Sequence, residues 1–343
     1  MTIHSARSTF RPVVGFRRGM AEADIAIVTP VYNDWDSLNI LIEELETALR
    51  DEGGPISLVV VDDGSDRPAP SFEGPRKVIS EISVIRLVTN QGHQGALAVG
   101  LCHVFKNIRC NHVVVMDCDG EDRPHDVPEL LRAARAAPHS VIVASRAQRS
   151  EGALFKAFYA LYRLVFALLV GRKISFGNFT VLPFELLHRL AYRAELWSHF
   201  AASVVRLRLP IVERPTTRGK RYRGKSSMNV ATLVVHGLSA INVFAEAAIA
   251  RILIACLLML GPAIAGILVV VALRFGTTLA IPGWTTTVVG ILSLFLVQVS
   301  AIGLFAIFTA LSFKKIIPSL PVEQFERLIG DVTVSSDVTV SAP

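Results

Sequence analysis

The chain has 343 residues, with 35 Lys and Arg against 29 Asp and Glu for a net charge of +6 at pH 7, and 51% of its residues are hydrophobic. That length accommodates a full catalytic domain with an appendage, and the apolar share, concentrated late in the chain, is high for a soluble protein. The basic excess gathers near apolar segments rather than in a stripe interleaved with exposed aromatics, which argues against a nucleic-acid partner and fits an anionic membrane surface.

Residues 1–22 carry Arg7, Arg11, Arg17 and Arg18 before any acid and read as a basic, mobile tail. No secretory signal is expected, because the first apolar run, Ile25 to Val28, is too short and already looks like a strand. Pro30 ends that strand in this reading, and Asp36 or Ser37 caps an amphipathic helix from about Leu38 to Arg50. ISLVVVDDGS is a second strand that ends in Asp62 and Asp63 before a glycine turn. A third, ISVIRLV, runs into NQGHQGALAVG, where glycines precede a small-residue helix reaching about Phe105. This glycine run is neither a dinucleotide fingerprint nor a P-loop, so hydride transfer is a poor reading. Val113 to Met116 is a buried strand that stops abruptly in charge. Strands alternating with helices predict an α/β fold with a mostly parallel sheet.

The segment MDCDGEDRP follows that last strand. Asp117 and Asp119 are two apart, so both can face one cation, and hard carboxylate oxygens favour Mg²⁺ or Mn²⁺ with positions left open for substrate phosphates. Glu121 repeats the spacing and offers a third oxygen; on this motif alone, a solvated acidic turn stays equally open. Ligands of parallel α/β sheets sit beyond the carboxyl ends of the strands. Tyr32, Asp34, Asp62, Asp63 and Asp117 all fall at such ends, which predicts a shared polar cleft.

VIVASR is a further strand ending at Ser145 and Arg146. The stretch about 153–171, apolar apart from Lys156 and Arg163, reads as a helix lying in the membrane interface with its cations snorkelling toward headgroups. In SFGNFTVLP, Asn178 is either a sugar contact or a turn residue beside Gly177. A run of Lys and Arg between Glu213 and Met228 reads as a basic loop, and 230–247 as a second interfacial helix. Arg251 and Arg274 bracket an uncharged run from Ile252 to Leu273, and another extends from Phe275 to Phe313. Each is long enough to span, which places two transmembrane helices within 248–314, with a turn at Pro282, Gly283 and Trp284. Lys314 and Lys315 close the second span, so both flanks are expected in the cytoplasm and the loop from Thr277 to Trp284 outside. Residues 315–343 read as a polar, loosely ordered cytoplasmic tail. The four cysteines, Cys102, Cys110, Cys118 and Cys256, show no metal or disulfide spacing and are expected to pack as thiols.

In order and spacing, TPVYND, VDDGS, N-x-G-x-x-G-A-x-x-x-G, MDCDGEDRP, VIVASR and RYRGKSSMN resemble the inverting GT-A glycosyltransferases of family 2. Within that family the chain resembles the polyprenyl-phosphate glycosyltransferases, such as dolichyl-phosphate mannose synthases and bactoprenyl glucosyltransferases, over about residues 24–313. The resemblance implies a Rossmann-like GT-A domain over 23–229 in an inner-membrane, multi-pass protein. It implies a UDP- or GDP-linked sugar donor bound by Pro30, Tyr32, Asp34, Asp62, Asp63, Asp117 and Asn178, with Asp62 near the base. Asp117, Asp119 and Glu121 would hold Mg²⁺ or Mn²⁺. Asp119, Arg146, Arg221 and Lys225 would serve the reaction, and Arg146, Arg163 and Ser226 would meet the phosphate of a polyprenyl acceptor in the lipid bilayer. Three departures stand out: Asp34 where most relatives carry Glu, Cys118 where they carry Ala or Ser, and Lys225, Ser226 and Ser227 where Glu and then Ser-Lys are common. The rival expectations are a transferase of this fold with another lipid or glycan acceptor, and a catalytically silent membrane scaffold. Homo-oligomerisation is left open. The Q-x-x-R-W string of processive polysaccharide synthases does not occur.

Overall fold

A computed structural model describes residues 21–72, 76–146, 164–171, 174–223, 230–277, 283–315 and 319–335. The chain opens on β1 (Ala21–Glu22), β2 (Ile25–Val31), α1 (Trp35–Ala48), β3 (Ile56–Asp62), β4 (Ile79–Leu87) and α2 (Gly92–Asn107). β5 (Ile108–Arg109), β6 (His112–Val115), α3 (Val127–Ala136) and β7 (Val141–Arg146) follow. After the helical residues 164–170 come β8 (Phe176–Pro183), α4 (Phe184–Ala191), α5 (Phe200–Arg206) and β9 (Ile211–Thr216). The C-terminal part holds α6 (Val230–Asn242), α7 (Ala245–Gly276), α8 (Trp284–Lys315), the helical turn α9 (Pro321–Gln324) and β10 (Ile329–Ser335).

Eight strands form one sheet in the order β10-β4-β3-β2-β6-β8-β7-β9. β4, β3, β2 and β6 are parallel, as the alternation of strands and helices predicts. β8 enters antiparallel between β6 and β7, and β9 is parallel to β7. Every residue of β2 and β3 is buried, which is why both read as continuous apolar runs: helices cover both faces. Side chains alternate across the sheet. Ala26 and Val28 pack on the α2 side, while Ile25, Ile27 and Val31 pack with Leu38, Leu41 and Leu45 of α1. The helix α2 lies unusually close to the sheet, since a Cβ at Gly100 would come within 2.6 Å of Val28 and 2.8 Å of Val61.

Three expectations are corrected. Pro30 does not end its strand, because β2 continues to Val31, paired with Asp62 of β3. The carbonyl of Val28 accepts from Met116 N on the β6 side and that of Val31 accepts from Asp63 N on the β3 side. Pro30 therefore turns its missing N–H toward β6, whose pairing has already ended at Val115, and no ladder bond is lost. The first helix starts at Trp35 rather than Leu38. The stretch after Pro318 is not loosely ordered over 319–335: Phe325 is buried in the core beside α2, and β10 pairs antiparallel with β4 as the sheet's edge strand.

The helices α7 and α8 are long and apolar enough to cross a membrane, and only 17% and 11% of their most apolar windows are buried. Their length, composition and exposure make them candidate membrane spans, unlike the mostly buried helices of a soluble core. Both feet of this hairpin are tied to one neighbourhood of the domain. Arg206 donates to Val243 O at 2.7 Å and pairs with Glu246 at 3.2 Å beside the outgoing foot. Trp197 Nε1 donates to Ser319 O at 3.1 Å beyond the returning one. Residues 164–170 and α6 also turn apolar side chains outward, Leu164, Val165 and Leu168 on the first and Val234, Val235 and Leu238 on the second. Residues 1–20 of the expected basic tail, 153–163 of the first interfacial segment and the turn at 278–282 lie outside the described residues.

Candidate active site

The carboxyl ends of β2 and β3 and the start of α2 surround a cavity of about 560 Å³. Pro30, Tyr32, Asn33 and Asp34 form one wall, Asp63, Asn90, Gly92 and His93 another, and Arg221 and Arg223 reach in from the basic loop. Asp63 ties the walls together, its N donating to Val31 O at 2.9 Å and its Oδ1 accepting from Gln91 N at 2.6 Å. Burial raises the Asp63 carboxyl, against the pull of the Gln91 and Gly92 amides. Its neighbour Asp62 is not in the lining. Successive strand-end residues point to opposite sides, and Asp62 is the wholly buried one, accepting from Ser65 N at 2.8 Å and facing Arg86 at 3.8 Å.

At the cavity's rim, the chain leaves β6 in a tight acidic loop. Asp122, itself buried, accepts from Asp117 N at 3.0 Å, and Asp119 accepts from Glu121 N at 2.9 Å. Gly120 sits at φ +87, and a Cβ there would strike the Tyr222 ring at 2.8 Å. The basic loop lies across this turn, with Gly219 N donating to Glu121 O and Tyr222 N to Asp119 O, each at 2.9 Å. Its cations meet the carboxylates directly. Arg221 approaches Asp119 at 2.6 Å and Glu121 at 3.0 Å, and Arg218 pairs with Glu121. Burial, with the nearby Asp117 charge, raises the Asp119 carboxyl despite Arg221. Burial acts the same way on Glu121, but the hydrogen bonds from Arg218 and Arg221 outweigh it and hold that carboxyl below its usual range.

The expected metal ligands are therefore brought to one rim in unequal roles. Among the described residues, no group of three or more His, Cys, Asp or Glu side chains is placed to hold a metal ion, because Glu121 is turned to the arginines. Asp117 and Asp119 still fit a divalent cation that takes its remaining ligands from a diphosphate: both are hard oxygen donors, and a cation would favour the ionised form of Asp119 that burial opposes.

Residues 26–196 match the model of Glycosyl transferase family 2. The domain belongs to that family. It is 33% identical over 112 residues to an undecaprenyl-phosphate 4-deoxy-4-formamido-L-arabinose transferase of Edwardsiella ictaluri, covering 32% of this chain and 33% of the relative. A Pseudomonas aeruginosa protein of the same name is 31% identical over 131 residues, 38% of this chain and 37% of the relative. The matched stretch thus spans about a third of the length of these curated relatives. Among solved structures, glucosyl-3-phosphoglycerate synthase from Mycobacterium tuberculosis in complex with Mn²⁺, uridine-diphosphate-glucose and phosphoglyceric acid is 17% identical, with a TM-score of 0.45 over 66% of this chain and 80% of that one.

Within the family 2 domain, the structure assembles Pro30, Tyr32, Asp34, Asp63, Asp117, Asp119 and Arg221 around one cleft and leaves Asp62 beneath it. Asn178 is not a turn residue but part of β8, where its amide lies 2.8 Å from His93 Nε2 and 3.2 Å from Gln94. His93 in turn stands 3.2 Å from Asp117, so it links the acidic rim to β8. Arg146 closes β7 opposite Thr216, its side chain outside the described structure. Arg163, Lys225 and Ser226 lie outside the described residues. Asn33, Asn90, His93, Arg218 and Arg223 escaped the reading of the sequence, although TPVYND and NQGHQGALAVG contain the first three and the basic run contains the two arginines.

Proposed function

We propose that this family 2 domain moves a sugar from a nucleoside diphosphate donor to the phosphate of a polyprenyl carrier at the cytoplasmic face of the inner membrane, inverting the anomeric carbon. The observation that carries the reading is the cleft itself: Tyr32, Asp34 and Asp63 wall a nucleotide-sized cavity, and Asp117, Asp119 and Arg221 stand at its rim. The names of the relatives support the acceptor, and the exposed apolar hairpin supports a substrate whose tail stays in the bilayer. The outward apolar faces of residues 164–170 and α6 support their resting in the interface. The basic residues flanking the spans, Lys314 and Lys315 among them, support the cytoplasmic orientation.

Asp117 and Asp119 would hold Mg²⁺ or Mn²⁺, which when bound neutralises charge gathering on the departing diphosphate. Arg221 is placed to exchange its carboxylate partners for phosphate oxygens, since a planar guanidinium suits either anion. Tyr32 and Asp63 orient the nucleoside. The acceptor phosphate is already anionic, so positioning and electrostatics carry the rate rather than a strong base. Arg146 and Ser226 are assigned to the acceptor phosphate and Lys225 to the reaction on the motif resemblance, and Arg163 to the acceptor phosphate as a cation snorkelling from an interfacial helix.

The test incubates the purified full chain with UDP- and GDP-linked sugars and undecaprenyl or dolichyl phosphate, with and without Mn²⁺. A lipid-linked sugar from one donor, lost in Asp119→Asn, is expected. No lipid-linked product with any donor overturns the reading.

A further inference from the structure

Asn33 holds the left-handed conformation at φ +55 between two residues of the cavity wall, Tyr32 and Asp34. A non-glycine residue rarely sits there, and asparagine is among the few that tolerate it. The turn is clipped to the neighbouring strand end. Asn33 N donates to Ser65 Oγ at 2.9 Å, Asn33 Nδ2 donates to Asp66 Oδ2 at 3.0 Å, and Asp66 N donates back to Asn33 Oδ1 at 2.9 Å. A second layer holds the clip from below: buried Asp62 accepts from Ser65 N at 2.8 Å, and Arg86 donates to Ser65 O at 3.2 Å. Trp35 Nε1 adds a bond to Arg67 O at 3.3 Å.

We propose that Asn33, Asp62, Ser65 and Asp66 form a positioning unit that sets the turn carrying Tyr32 and Asp34, and so sets affinity for the donor nucleotide without touching the reacting atoms. Asp62 acts here by shaping the wall, not by contacting a base. The ligand in this inference rests on the donor reading above; the clip itself rests on geometry. A wall held in its binding shape beforehand spares the donor the cost of ordering it. The reciprocal Asn33 and Asp66 bonds are the part that can be removed without opening the core, since both residues are exposed.

The experiment compares wild type with Asn33→Gly, Asp66→Ala and Asp66→Asn in the full chain. It measures amide hydrogen exchange at 32–34 and 65–66, the affinity for UDP and GDP, and donor KM against kcat. Asn33→Gly accepts the left-handed turn but loses the clip, and Asp66→Asn keeps an acceptor for Asn33 Nδ2. Asn33→Gly and Asp66→Ala should exchange faster at both turns, bind nucleotide about tenfold more weakly, and raise donor KM with kcat within about twofold; Asp66→Asn should stay near wild type. Unchanged affinity in Asn33→Gly and Asp66→Ala, whether or not exchange quickens, overturns the positioning role. If wild type binds neither nucleotide, the donor reading fails and exchange alone decides the clip: faster in Asn33→Gly supports it, unchanged overturns it.

Discussion

Arg221 places its Nη2 2.6 Å from Asp119 Oδ2, so the arginine already pairs with one of the two carboxylates proposed to hold a divalent cation. Cation and guanidinium therefore compete for one acid until a diphosphate offers Arg221 another partner. Arg221→Ala is expected to bind Mn²⁺ alone about tenfold more tightly, as read by electron paramagnetic resonance, because the competing charge is gone. The same variant should lose about a hundredfold in turnover, since a donor to the developing phosphate charge is missing. Mn²⁺ affinity equal to wild type would show that the two cations do not share the site.

The C-terminal segment is part of the domain's core. Phe325 is 1% exposed and β10 completes the sheet beyond β4. Phe325→Ala should cost about 3 to 5 kcal/mol, the range for emptying a buried aromatic site, and lower the thermal midpoint in detergent by many degrees. A midpoint within a degree or two of wild type would mean that the segment contributes little.

Burial lowers the His103 imidazole from its ordinary 6.5 to about 4. The folded state then binds fewer protons than the unfolded one across that interval, so this contribution to stability is complete above about 6.5 and lost as pH falls toward 4. Thermal midpoints recorded between these values should fall with pH in wild type and fall less steeply in His103→Gln. Parallel curves for the two proteins would exclude the histidine as a cause.

Cys102 and Cys110 are buried, and burial pushes both thiols up to about 12. Neither should form thiolate at neutral pH or reach a reagent in the native protein. Iodoacetamide followed by mass spectrometry should find both unmodified before denaturation and both labelled after it. Rapid labelling of native Cys102 would contradict its place on the buried face of α2.

Much of the central sheet was legible because its signals are local. A β-branched apolar run that stops in charge marks a strand and its functional end at once, as Val113 to Asp117 and Ile56 to Asp63 do. The edges were not. The strand β10 is largely exposed and alternates Val with Thr, so it reads as a polar tail until β4, far back in the chain, supplies its partner. Pro30 looked like a strand end because its tolerance depends on where β6 stops, which no window around Pro30 reveals. Asn178 reads equally as a sugar contact or a turn residue because the antiparallel insertion of β8 has no counterpart in a simple alternation of strands and helices.

The amino-acid sequence alone determined that acids and small polar residues crown a mostly parallel sheet and that a long apolar hairpin follows it, since hydrophobic periodicity and its interruptions are properties of neighbouring residues. Only the tertiary structure decided that Asp63 and not Asp62 faces the cavity, that Glu121 turns to Arg218 and Arg221, and that Asn33 is clipped to Asp66. These choices depend on which side chains packing brings within hydrogen-bond distance, and their partners stand about thirty to a hundred positions apart in the chain.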